Sequence, residues 1–324
     1  MTLRSRIAGV GSFLPEHVST NDDMAKIVDT SDEWIVERTG IHVRHFADEN
    51  TSSSVMAIKA AEQALKAANM TGDDLDMIVV ATITPDKTFP STAVYVQAGL
   101  GMKHGYAFDV SAACSGFLYA LRAADNAIRL GQAKTALVVG VETLSRITDF
   151  KDRNTCVLFG DGAGCVVLRA EEGDGTPADR GVLDTLIYSD GGYAPDLCAT
   201  GGPSTNHDVG YITMNGREVF RHAAVNMAEV SVEILEKNGV ALDDVDWLVP
   251  HQANIRILEA TAKRLNIPME KVISTVGLHA NTSAASIPLA LAHGVQEGKI
   301  KAGQLLLLPG MGAGFTWGAS LIRF

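Results

Sequence analysis

Residues 73–82 read DDLDMIVVAT and residues 243–252 read DDVDWLVPHQ, so one short pattern occurs twice in the chain. Each stretch is an acidic turn followed by an apolar run of the kind that forms a buried parallel strand. Each also follows a helix-like segment, at residues 54–69 in the first half and at residues 224–239 in the second. The period is too long for a solenoid, so the repeat predicts a duplicated α/β domain.

The correspondence continues downstream in the same order. Cys114 begins the segment CSGFLYALRAADNAIRLG, which leads to KTALVVGV, and Asn281 begins NTSAASIPLALAHGVQEG, which leads to GQLLLLPG. Each half then ends on a glycine turn and a strand, at residues 160–170 and 310–324. Strands that alternate with helices imply mostly parallel sheets covered by helices, and therefore the α/β class.

The boundary between the halves is predicted from a polar, glycine-rich connection. Residues 171–180 read EEGDGTPADR, which is typical of a linking segment. We expect an N-terminal half at 1–173 and a C-terminal half at 174–324. In this plan Cys114 and Asn281 occupy equivalent places, each after a strand and at the start of a helix.

The composition narrows the class of protein. Hydrophobic residues make up 46% of the 324 residues and charged residues 20%, which predicts a large buried core and argues against disorder. The net charge of −11 argues against nucleic acid as the main partner. No apolar run reaches the roughly 18–20 residues that span a bilayer, and the N-terminus has no signal-peptide core. We therefore expect a cytoplasmic protein that binds no membrane.

The chain contains four widely spaced cysteines, Cys114, Cys156, Cys165 and Cys198. They form no Cys-x-x-Cys pair and have no Cys/His metal-ligand spacing, and most free cysteines are buried packing residues. Cys114 differs because it lies between a strand-like run and an apparent helix, where the positive end of the helix dipole favours the thiolate. A small core cysteine at a tight junction is the alternative interpretation.

His251 and Asn281 are the candidate partners of this cysteine. His251 ends an apolar run, on the side of an α/β sheet where ligands bind, although a buried structural histidine is the alternative. Asn281 taken alone is most simply a helix N-cap, since asparagine is among the best capping residues. Strand ends from two related halves can meet at a shared interface, which would bring Cys114, His251 and Asn281 together.

Six motifs extend this pattern over essentially the whole chain. They are SDEWIVERTGI (31–41), DVSAACSGF (109–117), FGDGAG (159–164), VPHQANIRI (249–257), HANTSAAS (279–286) and GFTWGASLIRF (314–324). With these motifs in this order the sequence resembles the β-ketoacyl-[acyl-carrier-protein] synthase III family, the condensing enzymes that initiate type II fatty acid synthesis. The resemblance implies a thiolase-like fold, with duplicated α/β halves in a five-layered αβαβα arrangement, and a homodimer.

The resemblance also implies a mechanism. Cys114 would accept an acyl group from acyl-CoA, most simply acetyl-CoA, and so split one condensation into two steps. Malonyl-[acyl-carrier-protein] would then lose carbon dioxide, and its enolate would attack the acyl-cysteine to give 3-oxoacyl-[acyl-carrier-protein]. His251 and Asn281 would donate hydrogen bonds to the enolate oxygen. The backbone N–H groups of Cys114 and of the 310–314 turn would form a second oxyanion site. No metal or redox cofactor is implied, and the CoA thioester is a substrate.

Five further positions are implied to contact CoA. Trp34 would stack on the adenine, and Arg38 and Arg153 would lie near the nucleotide and its phosphates. Thr30 and Asn254 would line the pantetheine approach. Without the resemblance, Trp34 is as readily a core anchor, and the two arginines are solvated charges.

Another set is implied to contact the acyl carrier protein and the primer. A positive face for the acidic carrier protein would be formed by Arg221, Arg256, Lys263 and Arg264. Without the resemblance a solvated helix face is the better interpretation of these charges. Phe89 would lie at the base of the acyl pocket, where its bulk favours a short primer.

Two positions depart from the family pattern. Ala313 stands in a turn where the family often has glycine, and Met311 stands where an aromatic residue is common. A backbone donor survives a change from glycine to alanine where its dihedral angles permit, so we expect an effect on pocket shape rather than on chemistry.

Three other functions remain compatible with the residues alone. A cysteine hydrolase also uses Cys, His and Asn, but the duplicated layout argues against a papain-like protease. A related starter-unit synthase of secondary metabolism would share the triad and the fold and differ in its acyl group. A non-enzymatic binding protein on this fold would show no acyl transfer to Cys114.

Overall fold

The computed structural model describes residues 2–324, in which strands and helices alternate. The strands are β1 (Thr2–Phe13), β2 (His17–Thr20), β3 (Val43–Phe46), β4 (Met77–Ala81), β5 (Tyr106–Val110), β6 (Thr135–Thr143), β7 (Asp161–Gly173), β8 (Gly181–Ser189), β9 (Leu197–Ala199), β10 (Ile212–Met214), β11 (Trp247–Leu248), β12 (Leu305–Gly312) and β13 (Thr316–Arg323). The helices are α1 (Asn21–Ala25), α2 (Asp32–Thr39), α3 (Ser53–Ala68), α4 (Thr92–Gly99), α5 (Gly116–Arg129), α6 (Gly216–Lys237), α7 (Ile255–Arg264), α8 (Val276–His279) and α9 (Ser286–Gln296).

The two main sheets repeat one strand order. The first runs β1-β7-β6-β4-β5 and the second runs β8-β13-β12-β11. In both, the first three strands of that order pair antiparallel and the next pair is parallel. A parallel bridge between Leu248 and Val272 stands where β5 stands in the first sheet. The strand order therefore confirms the duplication, and β7 ends at Gly173, while the boundary at 173/174 stays a prediction.

The sheets and helices form five layers. Helix α3 covers the outer face of the first sheet, and α6 covers the outer face of the second, with α7 packed beside it. Helices α5 and α9 lie between the two sheets. The order is helix, sheet, helix, sheet, helix, which is the αβαβα arrangement expected from the resemblance.

Alternating side chains explain why the central strands are apolar throughout. In β4, Met77, Val79 and Ala81 face the middle layer, whereas Ile78 and Val80 pack under α3. In β12 the same alternation places Leu306 and Leu308 in the middle layer. A strand buried on both faces needs apolar residues at every position, because each face of the sheet meets a helix.

The strand–helix junctions of the two halves correspond at a spacing of 170 residues. Short 3₁₀ turns at Ala113–Ser115 and Ser283–Ala285 precede α5 and α9, and each begins in the left-handed region, with φ of 45° at Ala113 and 48° at Ser283. The counterpart of Cys114 is therefore Ala284. The sequence-based pairing of Cys114 with Asn281 is wrong by three residues, because the helix-like segments that it aligned do not show where each 3₁₀ turn begins.

Each half presses a strand end against the junction of the other half. A Cβ atom added at Gly312 of β12 would lie 2.5 Å from the backbone nitrogen of Cys114. A Cβ atom added at Gly140 of β6 would overlap the carbonyl oxygen of Ala284. Glycine is required at both places because backbone meets backbone. Within residues 2–324, no helix is both long enough and apolar enough to cross a membrane.

Gly140→Ala is expected to lower the free energy of unfolding by about 1–3 kcal/mol, the usual cost of overpacking a tight core. The added methyl group cannot be accommodated without moving Ala284 or β6. Urea denaturation followed by circular dichroism measures the change. Gly191→Ala is the matched control, because nothing lies within 4 Å of a Cβ atom there. Equal stability of the two variants would contradict the close-contact argument.

Candidate active site

A cavity of about 740 Å³ lies where the two junctions meet. Cys114 from the first half and His251 and Asn281 from the second half all line it, and all three are buried. Part of its wall is apolar and comes from Ile83, Leu144, Ile147, Phe159, Leu197 and Ile212. The structure thus brings the three predicted catalytic residues to one cavity with an apolar lining.

Cys114 lies in the middle of the 3₁₀ turn, two residues before α5 begins. The pKa of its thiol is raised to about 11, mainly by burial and also by the nearby Glu142 carboxylate, while the hydroxyl of Ser283 acts to lower it. The free thiol is therefore protonated at neutral pH. The sequence indicated only the helix dipole, which favours the thiolate, whereas burial of a cysteine that is 8% exposed acts in the opposite direction.

His251 is held in position by its backbone and by a hydroxyl beside its ring. Its backbone N–H donates to the carbonyl of Pro309 at 2.9 Å, which fixes it at the end of the second sheet. The backbone N–H of Gln252 donates to Ser286 Oγ at 3.3 Å, and Ser286 Oγ lies 2.6 Å from His251 Nδ1. A Ser286 hydroxyl that donates to Nδ1 places the ring proton on Nε2. Burial lowers the pKa of His251 to about 3, so the ring is neutral at physiological pH.

Gln252 anchors this strand end with a fully used side-chain amide. Its nitrogen donates to the carbonyls of Pro250 at 2.7 Å and Ile273 at 3.1 Å. Its oxygen accepts from the backbone N–H groups of Thr275 at 2.7 Å and Val276 at 3.1 Å. Buried amides of this kind fix the backbone when every donor and acceptor is paired.

Asn281 is held between the halves. Its backbone N–H donates to the Leu158 carbonyl at 2.9 Å, and its own carbonyl accepts from Gly160 N–H at 3.0 Å. Its side-chain oxygen accepts from the backbone N–H of Ser283 at 2.9 Å. The side-chain oxygen therefore caps the 3₁₀ turn, and the side-chain NH₂ remains as the donor at the cavity.

Thr316 ties the glycine-rich turn to the cysteine segment. Ser115 Oγ donates to Thr316 Oγ1 at 2.7 Å, across 201 positions of sequence. Thr316 Oγ1 lies 2.9 Å from the carbonyl oxygens of both Ala112 and Ala313. Together with the close approach of Gly312, these contacts set the distance between the turn and Cys114. Ala313 and Met311 both line the cavity, which is consistent with an effect on its shape.

The predicted CoA residues fall into two groups. The guanidinium carbons of Arg38 and Arg153 lie 4.6 Å and 4.5 Å from the Trp34 ring centroid, and Arg38 also lines the cavity. Asn254 lines the cavity and caps α7 by accepting from Ile257 N–H at 3.0 Å. Thr30 lies outside the cavity wall, one residue before the cap of α2, and its hydroxyl is buried without a hydrogen-bond partner.

Phe89 lies elsewhere. Its side chain is 82% exposed and is absent from the wall of the cavity in its own chain. The structure of a single chain therefore does not bring Phe89 to Cys114. Sequence reasoning could not detect this, because the resemblance gives a position along the chain and no information on the exposure of the side chain.

The basic residues are exposed on the adjacent helices α6 and α7. Arg256 also lines the cavity, and Lys263 is on the same helix. Arg221 Nη2 lies 2.6 Å from Glu218, so its charge is partly compensated. Arg264 lies in a separate groove beside Glu229, Glu233 and Glu236, a setting less suited to an acidic partner.

Four residues at the site have no role in the sequence-based prediction. They are Glu142, Ser283, Ser286 and Thr316. Ser283 and Ser286 lie within the motif at 279–286, and Thr316 lies within the motif at 314–324. The motifs therefore indicated where these residues are, but not what their side chains do. Glu142 follows a continuous apolar run, one residue before the end of β6. Its isolated charge after that run was the feature by which the sequence could have indicated it. Within residues 2–324, no group of three or more His, Cys, Asp or Glu is placed to hold a metal ion.

Comparisons with known proteins agree with the resemblance. Models for 3-oxoacyl-[acyl-carrier-protein] synthase III match residues 108–191, and models for its C-terminal part match residues 235–324. The β-ketoacyl-[acyl-carrier-protein] synthase III of Paramagnetospirillum magneticum is 58% identical over 323 residues, with 100% of each chain covered.

Two solved structures resemble the chain over nearly its full length. The 3-oxoacyl-[acyl-carrier-protein] synthase III of Aquifex aeolicus has a TM-score of 0.93 and 51% identity, and the match covers 99% of this chain and 100% of that one. The priming β-ketosynthase of the R1128 polyketide biosynthetic pathway has a TM-score of 0.92 and 33% identity, and the match covers 98% and 96% of the two chains.

His251 is expected to be a neutral Nε2–H imidazole across about pH 5–8, because burial suppresses its charged form. Imidazole ¹⁵N chemical shifts measure both tautomer and charge. Ser286→Ala removes the hydroxyl that donates to Nδ1 and should yield a mixture of tautomers. Ser231→Ala, which removes another buried hydroxyl on α6, is the control and should leave the His251 signals unchanged. An unchanged tautomer in Ser286→Ala would contradict the assignment.

Proposed function

Because this chain belongs to the β-ketoacyl-[acyl-carrier-protein] synthase III family, we propose that Cys114, His251 and Asn281 carry out its reaction. The enzyme is an acyltransferase that condenses an acyl-CoA primer with malonyl-[acyl-carrier-protein] and so initiates fatty acid synthesis. The observation that carries the assignment is the single cavity in which a buried thiol from one half meets an imidazole and an amide from the other.

In the first step Cys114 attacks the acyl-CoA thioester, and CoA leaves as the thiol. The thioester carbonyl becomes an oxyanion, which needs hydrogen-bond donors that are already in position. The backbone N–H groups of Cys114 and of the 310–314 turn are the candidates. Their spacing is supported by the contact of Gly312 with Cys114 and by the hydrogen bonds of Thr316.

In the second step malonyl-[acyl-carrier-protein] loses carbon dioxide, and its enolate attacks the acyl-cysteine. The enolate oxygen must be stabilised by hydrogen-bond donors that do not themselves act as bases. His251 Nε2–H and the Asn281 NH₂ meet that requirement, since the imidazole is neutral and the amide oxygen is already used by Ser283. The products are 3-oxoacyl-[acyl-carrier-protein], CoA and carbon dioxide.

We assign one binding surface to CoA and another to the acyl carrier protein, and the two surfaces meet at the cavity. For CoA we propose Trp34, Arg38 and Arg153, with Thr30 and Asn254 along the pantetheine arm. The stacking of both arginines on Trp34 supports this assignment, because an adenine ring can replace or extend such a stack. No metal or redox cofactor takes part in the proposed steps.

For the acyl carrier protein we propose Arg221, Arg256 and Lys263, with Arg264 as an outlying member. The position of Arg256 both on the surface of α7 and at the cavity supports a carrier bound next to the entrance. Opposite charges of this kind guide encounter more than they add to affinity.

The primer is proposed to be short, and acetyl-CoA is the simplest choice. The rival function, a starter-unit synthase of secondary metabolism, is not favoured, because the polyketide enzyme is 33% identical whereas the fatty acid relative is 58% identical. Product analysis with acetyl-, branched and medium-chain acyl-CoA distinguishes the two functions.

We further propose that the enzyme is a cytoplasmic homodimer. Strand β5 is at the edge of the first sheet, and its Tyr106 and Phe108 rings are exposed and stacked, with centroids 6.4 Å apart. Exposed apolar edge strands are a liability unless another chain pairs with them. A partner on this edge also accounts for the exposure of Phe89, which can complete an acyl pocket only if it enters the pocket of a second copy.

Cys114→Ser is expected to abolish acyl-enzyme formation, because the hydroxyl is a far weaker nucleophile at neutral pH. Intact-protein mass spectrometry with acetyl-CoA measures the mass increase. Cys198→Ser is the matched control, since Cys198 lines the same cavity and is partly exposed. If Cys114→Ser still gains the acyl mass, or if Cys198→Ser loses it, the assignment of the nucleophile is wrong.

Asn281→Ala is expected to form the acyl-enzyme at nearly the wild-type rate and to condense it about 10²–10³ times more slowly, the range for losing one oxyanion donor. Release of carbon dioxide from malonyl-[acyl-carrier-protein] measures the second step separately. Condensation at the wild-type rate would remove Asn281 from the enolate site.

Phe108→Lys is expected to shift the protein from dimer to monomer, since it places a charge on the apolar edge. Sedimentation velocity measures the change. Leu130→Lys changes another exposed apolar residue, at the end of α5, and should leave the dimer intact. A Phe108→Lys dimer of unchanged stability would place the interface elsewhere.

A further inference from the structure

Glu142 is a fully buried carboxylate that the steps above do not use. It lies one residue before the end of β6 and accepts from Thr84 Oγ1 at 2.6 Å, from Thr82 Oγ1 at 3.3 Å and from the backbone N–H of Ile83 at 3.1 Å. These partners are neutral. A buried carboxylate without a cationic partner is costly to keep ionised, so its presence calls for a chemical reason.

Ser283 begins the 3₁₀ turn that packs against both β6, which carries Glu142, and the turn that carries Cys114. It is 2% exposed, lines the cavity and has φ of 48°, a left-handed conformation that costs about 1–3 kcal/mol in a residue other than glycine. Its hydroxyl is buried without a hydrogen-bond partner and lowers the pKa of both Cys114 and Glu142. The strained backbone thus holds an unpartnered hydroxyl on a turn that packs against the elements of the thiol and of the carboxylate.

We propose that Glu142 is a positioning residue for the nucleophile, which holds, through the Ser283 hydroxyl, the proton that Cys114 gives up on attack. The inference rests on the proposed role of Cys114 as the acyl carrier. As the Cys114 sulfur forms its bond to the thioester carbon, its proton passes to Ser283 Oγ, and the Ser283 proton passes to Glu142. When the tetrahedral intermediate breaks its bond to the CoA sulfur, that thiolate takes one proton back along the same path or from water.

This arrangement keeps the charge of the buried site constant. With the thiol protonated, the negative charge is on Glu142, and with the proton on Glu142, the charge is on the sulfur or the oxyanion. The site therefore never holds two negative charges, which low dielectric would penalise strongly. Burial raises the pKa of Glu142 to about 7, close to the value at which a general base is most effective.

The other ionisable groups at the cavity are less suited to this role. His251 also lines it, but burial lowers its pKa to about 3, so its ring does not take up a second proton at neutral pH. Arg38 and Arg256 line it as permanent cations. The charge of Glu142 raises the pKa of the Cys114 thiol, which is the ionisable group on which it acts directly. The hydroxyls of Thr82, Thr84 and Ser283 in turn lower the pKa of Glu142.

The test is the pH profile of acyl-enzyme formation, followed by rapid quench and intact mass from about pH 5.5 to 9.5. In the wild type the rate should rise with an apparent pKa near 7. Glu142→Gln should lose that inflection and react about a hundredfold more slowly at pH 7, the lower end of general-base effects. Ser283→Ala should change the profile in the same direction. Asp161→Asn, which alters another buried carboxylate, should retain the wild-type profile.

Two results would overturn the inference. One is a wild-type profile in both Glu142→Gln and Ser283→Ala. The other is faster reaction of Glu142→Gln at pH 7, which would mean that the carboxylate only repels the thiolate. If Glu142→Gln does not fold, the pH profiles of Glu142→Asp and Ser283→Ala test the inference instead. The Glu142→Asp profile should retain an inflection, and the Ser283→Ala profile should not. A wild-type protein that gains no acyl mass would instead refute the proposed function.

Discussion

The molecule depends on a reciprocal contact between its two halves. The end of β12 presses on the junction that carries Cys114, and β6 presses on the equivalent junction that carries Ala284. Both contacts are backbone against backbone, so they admit no side chain at Gly312 or Gly140. The same contacts close the middle layer and form the walls of the cavity. The same contacts therefore determine both the stability of the protein and the shape of the active site. The active site cannot be widened unless the two sheets move apart.

The sequence predicted the architecture because duplication leaves a record in order and spacing. It placed Cys114 and His251 well, since each ends or follows a strand with a distinct pattern. It misaligned Asn281 with Cys114, because a helix-like run does not show where a 3₁₀ turn begins. It did not foresee the exposure of Phe89 or the protonated thiol. The exposure of a side chain and the protonation of a thiol depend on the folded surroundings, which a local sequence pattern does not describe.

The three catalytic side chains are uncharged in the resting enzyme, although the proposed reaction passes through charged intermediates. The imidazole is neutral, the amide is neutral and the resting thiol is protonated, because burial opposes charge in each ionisable group. Charge develops on these three groups only when substrate arrives, and donors fixed by Ser286, Ser283 and Thr316 are then already oriented. Such preorganisation avoids the cost of turning solvent dipoles during the reaction.

The hydrogen bond from Ser115 to Thr316 has a consequence for how the protein is made. It joins positions 201 residues apart, so it forms only when nearly all of the chain has left the ribosome. Until then the first half carries a nucleophilic cysteine without its covering strand. The geometry around Cys114 is therefore completed late in synthesis, when Thr316 has been made and β13 packs beside the cysteine segment.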